Sequence, residues 1–204
     1  DNEPDDASGG MKFSVLSMLG RPGAGKGTQI KLLERRAGKY EVIRTGMLLR
    51  KRAERPDLIG KIVRHALDRG LLIPTPIVFS LWMPKLMKVK KRERNYRGVI
   101  FDGNPRKLYE AQMLDEVLEM FGWSNCFRVC HIHISEKESK KRLKARDRSD
   151  DTSKEIEERL RWFRTDVEKT LEHYRKRGVL IEVNGEQPQE AVHKEIQKKL
   201  RHFI

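Results

Sequence analysis

The residues with the clearest chemical meaning run from Gly20 to Thr28, GRPGAGKGT. Spaced glycines let backbone N–H groups turn inward around an anion, and a following helix adds its positive end. Lys26 stands where an ammonium can reach the β- and γ-phosphates of a nucleotide. Thr28 offers a hydroxyl one place later than usual in such loops, because Gly27 intervenes. This chemistry needs a strand before the loop and a helix after it. Residues 13–19 form an apolar run that ends at Gly20, and Ile30, Leu33 and Ala37 recur at helical spacing afterwards. A glycine turn that binds nothing would need neither that spacing nor Lys26.

The elements around the loop follow an alternating pattern. Short apolar runs at 40–43, 98–101, 127–134 and 179–183 read as further strands, with helical patterns between them. Alternation of this kind predicts an α/β fold in which helices cover both faces of a five-stranded parallel sheet. Ser135 with Glu138, and Thr152 with Glu155, read as capping boxes. From the second box, Ile156, Leu160, Phe163, Val167, Leu171 and Tyr174 mark one stripe of a long helix ending at Gly178. Pro84 predicts a kink or break in the helical pattern at 77–89.

Composition narrows the class. The chain has 204 residues, enough for one α/β domain, with 37% hydrophobic and 36% charged residues. No apolar run approaches the roughly 18 residues of a membrane span. Residues 1–10 are acidic and poor in packing side chains, and read as a disordered tail or expression remnant. Setting them aside raises the formal charge from +14 to +18. That excess suits anionic partners or merely solvates helix faces. Two cysteines, Cys126 and Cys130, require no disulfide framework and point to a reducing cytoplasm. In Cys130-His131-Ile132-His133 the two histidines share one strand face and the cysteine takes the other, which reads as packing and not as a metal site. Trp82, Trp123 and Trp162 likewise read as packing residues, and without an aromatic module the basic residues do not argue for nucleic-acid binding.

Four segments in order carry a resemblance to a known family. The GxPGxGKGT loop, Arg44-Thr-Gly-Met-Leu-Leu-Arg50, Gly98-Val-Ile-Phe-Asp-Gly-Asn-Pro-Arg106, and Arg146-Asp-Arg148-Ser-Asp-Asp151 with Arg159 resemble the motifs of nucleoside monophosphate kinases, above all adenylate kinases with a short lid. The resemblance implies a P-loop three-layer sandwich: a core at 11–43, 76–140 and 153–204, an acceptor-binding segment at 44–75, and a lid at 141–152. It implies reversible phosphoryl transfer from MgATP to AMP, giving two ADP. Gly23, Ala24, Gly25, Lys26, Gly27 and Thr28 would hold ATP, together with Arg142, Arg146 and the backbone at Gln187. Thr45, Arg50, Leu71, Leu72, Ile73, Gly103, Asn104, Pro105, Arg106, Glu110, Arg148 and Arg159 would form the AMP site. Lys26, Arg106, Arg146, Arg148 and Arg159 would stabilise the transferring group, Asp150 and Asp151 would orient the arginines, and Asp102 would hold Mg²⁺ through water. A lid without cysteines implies no zinc, and the family implies a cytoplasmic monomer that acts on ATP, AMP and ADP.

The acceptor side departs from the family pattern. Glu110 stands where a glutamine reads adenine, and a carboxylate can only accept hydrogen bonds. It matches two adjacent donors, such as those on guanine. Asn104 replaces a phenylalanine, Arg44 a small residue and Met47 an aspartate. GMP, CMP or UMP therefore remains an alternative acceptor, and a non-catalytic basic nucleotide- or RNA-binding protein is the alternative of another class.

Overall fold

A strand buried on both faces reads as a continuous apolar run, as the one at 14–19 does, and it assembles with four others into one sheet. The computed structural model describes residues 13–36, 39–145, 152–201 and 203. Residues 1–12 and 146–151, which include the acidic tail and half of the expected lid, lie outside the described residues. Strands β1 (Ser14–Leu19), β2 (Tyr40–Ile43), β3 (Gly98–Asp102), β4 (Phe127–His133) and β5 (Leu180–Asn184) are all parallel, in the order β2-β3-β1-β4-β5. Met18 of β1 pairs with Asp102 and with Cys130, so β1 and β3 finish within one residue of each other, while β4 runs two residues past the partner of Leu19 at the same edge. Gly98 is required to start β3, since a Cβ there would lie 1.8 Å from the Ser14 carbonyl oxygen.

Strand periodicity divides the core into two layers. Val15, Val99, Phe101, Phe127 and Val129 face one side, while Leu16, Met18, Ile100, Cys130 and Ile132 face the other. The second side is covered by α1 (Lys26–Arg36) and α9 (Gln189–Leu200). The first packs against α2 (Thr45–Ala53), α3 (Leu58–Leu67), α4 (Thr75–Lys91), α5 (Leu108–Met120) and the helices that follow α6 (Glu136–Lys144), namely α7 (Ser153–Trp162) and α8 (Glu168–Lys176). The result is the three-layer α/β sandwich that the alternation predicts.

Local expectations meet the structure with three corrections. Pro84 does not break its helix: α4 runs through it from Thr75 to Lys91. The buried face of α4, with Trp82, Leu86 and Val89 fully enclosed, outweighs the lost backbone hydrogen bond. Only Thr152 and Glu155 form a reciprocal capping box. Ser135 accepts from the Glu138 N–H, but the Glu138 carboxylate turns to Arg142, and Glu186 takes the Ser135 N–H at 2.5 Å. The long stripe is buried at all six positions, yet its helix widens to a π-turn at Phe163–Val167 between α7 and α8.

Candidate active site

Three loops leave the carboxyl ends of β1, β3 and β4, the edge where ligands collect in open parallel sheets. After β1, the glycine loop needs its glycines. Gly23 and Gly25 hold φ of 82° and 89°, and a Cβ on Gly20 would press to 2.5 Å from the Ile132 carbonyl oxygen. The loop is fastened from outside: Ser139 Oγ donates to the Pro22 carbonyl at 2.6 Å, and Arg21 donates to the Ile134 carbonyl at 2.9 Å. Lys26 Nζ donates to the Gly20 and Arg21 carbonyls at 2.7 and 3.1 Å. Its stem reaches the next loop, because a Cβ on Gly103 would lie 3.5 Å from Lys26 Cε and 3.3 Å from an Arg106 terminal nitrogen.

A single cavity of about 670 Å³ joins the glycine loop to the segment after β2 and the loop after β3. Gly23, Gly25, Lys26, Gly27 and Thr28 line one part of it. Thr45, Arg50, Leu71, Leu72, Ile73, Gly103, Asn104, Arg106 and Glu110 line another, with Asp102, Arg142 and Arg159 also on the wall. Three expected residues do not reach the cavity. Ala24 packs its methyl into the core, and Pro105 is buried in its loop. Gln187 hydrogen bonds to Asn184 and Glu195. Arg146, Arg148, Asp150 and Asp151 lie outside the described residues.

The cavity is strongly cationic. Lys26, Lys31, Arg44, Arg50, Arg106, Arg142 and Arg159 face it, against the carboxylates of Asp102 and Glu110. Loss of hydration pulls the Arg106 guanidinium below the ordinary arginine range. Glu110 and Asp102 oppose that shift, and Arg159 adds to it. Arginine stays charged under such a shift. Arg106 is aimed by its own loop, with Nε donating to the Gly103 carbonyl at 2.7 Å. Arg142 links the glycine loop to the end of β5, donating to Glu138 at 2.7 Å, Gly185 at 2.9 Å and Gly23 at 3.4 Å.

Glu110 occupies a place that sequence reasoning assigned only to base recognition. It is 2% exposed, and its Oε2 accepts from the Arg106 backbone N–H at 2.8 Å and from Asn104 Nδ2 at 3.4 Å. One oxygen of the carboxylate therefore holds the arginine loop in shape. Sequence reasoning also missed three supports. Lys107 Nζ donates to the Ile73 carbonyl at 2.7 Å, and Trp82 Nε1 donates to Thr45 Oγ1 at 3.0 Å. Trp162 lines the cavity as well as packing in the core. Lys107 adjoins a recognised motif and was findable. The tryptophan contacts span 37 and 92 residues of sequence and carried no local signal.

A hydroxyl, a carboxylate and a ring of cations around one cavity suit a polyphosphate with a hard cation. A family model described as adenylate kinase matches residues 18–179. An adenylate kinase of Azobacteroides pseudotrichonymphae is 33% identical over 189 residues, covering 91% of this chain and 96% of the relative. Adenylate kinase 1 of Nostoc sp. is 34% identical over 185 residues, covering 91% and 97%. An adenylate kinase of Thermus thermophilus is 34% identical over 175 residues, covering 84% and 88%.

Proposed function

The chain belongs to the adenylate kinase family, and on that footing we propose that its cavity holds ATP and AMP end to end. The γ-phosphoryl group of ATP passes to AMP, giving two ADP, and the reaction is reversible. The observation that carries this reading is the continuity of the cavity from the glycine loop to the segment at 70–73 and to Arg106. A nucleotide binder without an acceptor would need only the first part. The relatives reported above are all named adenylate kinases, which favours AMP over other monophosphates.

In this reading an oxygen of the AMP phosphate forms the new bond to the γ-phosphorus as the bond to the β–γ bridging oxygen breaks. The attacking oxygen is already ionised near neutral pH, so no general base is required. Repulsion between two anions is the obstacle, and positive charge fixed in advance answers it. Lys26 would turn from the Gly20 and Arg21 carbonyls to the ATP phosphates. Arg106 would grip the AMP phosphate with a planar two-donor fork, and Arg159 would bridge toward it. Arg142 and Arg146 would hold the donor, and Arg148 would join Arg159. Thr45, Arg50 and the backbone at 71–73 would enclose AMP. Segments 44–75 and 141–152 would close and exclude water, which otherwise competes as acceptor.

Asp102 and Thr28 supply oxygen donors beside the phosphate loop, as Mg²⁺ prefers. Among the described residues no three His, Cys, Asp or Glu side chains converge, so phosphates and water would provide most of its ligands. When bound, Mg²⁺ would neutralise phosphate charge and fix phosphate geometry. No helix among the described residues is long and apolar enough to cross a membrane. Free thiols at Cys126 and Cys130 accord with a reducing cytoplasm, and a monomer is the form this reading takes. The test is ADP formation from ATP and each of AMP, GMP, CMP and UMP with Mg²⁺. AMP should be the preferred acceptor, and Lys26→Met should lower kcat at least about 100-fold. Absence of ADP with every acceptor defeats the proposal.

A further inference from the structure

Trp162 ends α7 three residues beyond Arg159 and touches two parts of the acceptor side that are far apart in sequence. Its indole N–H donates to the Gly70 carbonyl at 3.0 Å. Its ring centre lies 4.9 Å from the guanidinium carbon of Arg106. The side chain lines the cavity while the residue is only 7% exposed.

Each contact has a physical use. Arg106 shares the cavity with Lys26 and Arg159, and Arg159 is close enough to disfavour its charge. The negative face of an indole offsets part of that repulsion and restrains the guanidinium lying over it, which limits where the donor fork points. Gly70 forms the turn before the segment 71–73, with φ of 66°. Its N–H donates to Leu67 and the next N–H to Ala66, at 3.0 and 2.8 Å. A Cβ on Gly70 would come within 3.3 Å of the Glu155 carbonyl oxygen, so the turn is seated on the first turn of α7. The indole N–H fastens the same turn to the last turn of α7.

We propose that Trp162 is a positioning residue for the acceptor: its ring holds the Arg106 fork while its N–H anchors the turn that leads into the wall of the acceptor pocket. Phosphate grip and base wall are thereby set by one side chain on the helix that carries Arg159. The proposal rests on the reading that Arg106 grips the acceptor phosphate.

The two contacts separate by mutation. Trp162→Phe keeps an aromatic face and loses the N–H, whereas Trp162→Leu loses both. Steady-state kinetics with AMP and ATP varied independently, on full-length proteins checked by circular dichroism, provide the readout. In Trp162→Leu the KM for AMP should rise and kcat fall, by about 10-fold in their ratio, with the KM for ATP within about twofold. Trp162→Phe should recover most of the lost kcat and keep a KM for AMP raised about threefold. Equal rises in both KM values in Trp162→Leu mean general loosening and overturn the proposal, as do wild-type values. Should Trp162→Leu fail to fold, Trp162→Phe decides alone: an unchanged KM for AMP overturns the proposal, and a selective rise supports it. Arg106→Ala tells the two ideas apart. Wild-type turnover in that variant removes the reading of Arg106 itself. An inactive Arg106→Ala beside a normal Trp162→Leu removes only the role given to Trp162.

Discussion

Glu110→Ala removes a nearly buried carboxylate from the loop that aims Arg106. Oε2 accepts from the Arg106 backbone N–H at 2.8 Å and from Asn104 Nδ2 at 3.4 Å, with Glu110 2% exposed. Stranding a buried donor costs about 1–3 kcal/mol, and the shorter of these two bonds is the one that counts. Relief from holding a carboxylate out of water offsets part of the loss. A net destabilisation of about 2 kcal/mol is expected, which for a chain of this length lowers Tm by about 4–8 °C. Because the loosened loop is the one that aims Arg106, the KM for AMP should rise more than the KM for ATP. Glu110→Gln keeps one oxygen acceptor with nearly the same shape, so its loss should be near half, about 1 kcal/mol. Differential scanning fluorimetry and two-substrate kinetics read both effects. A Glu110→Ala protein that melts within about 1 °C of wild type with an unaltered KM for AMP refutes the reasoning.

Other consequences can be checked separately. Burial pushes His131 down to about 4 from an ordinary 6.5, against the pull of Glu182. The unfolded chain therefore binds this proton more readily. Stability from the neutral ring is complete above about pH 6.5 and is lost as pH falls toward 4, by up to roughly 3 kcal/mol. His131→Asn should flatten the urea stability profile across that window, and an unchanged slope contradicts the assignment. Burial also pushes the Cys130 thiol up to about 12, while Cys126 is half-buried. A thiol reagent should label one cysteine in the native protein and two in denaturant. Thr152→Ala removes the capping box at the start of α7 and should cost about 1 kcal/mol, or about 2–4 °C in Tm.

What was legible in the chain was what local physics governs. The glycine loop could be read because its glycines and Lys26 lie within nine consecutive residues and only a strand-to-helix turn uses them. Strand positions followed from apolar runs too short for helices, and β2 matches its expected limits, Tyr40 to Ile43. The capping box at Thr152 needed only residues within one helical turn. Failures came where distant groups compete for the same atom. Glu138 left Ser135 for Arg142, and Glu186, 51 residues beyond Ser135, took its N–H. Pro84 stayed inside α4 because the apolar face of that helix is enclosed by the sheet and its neighbours.

The sequence by itself determined the fold class, the family and the chemistry of the phosphate loop, since periodicity and closely spaced motifs encode them in neighbouring residues. Only the tertiary structure decided which side chains share the cavity wall, that Glu110 binds its own loop, and that Trp162 stands between Gly70 and Arg106. Those contacts join residues that the chain order separates, and the shared carboxyl edge of the parallel strands brings most of them together. No local pattern in the chain specifies such a meeting.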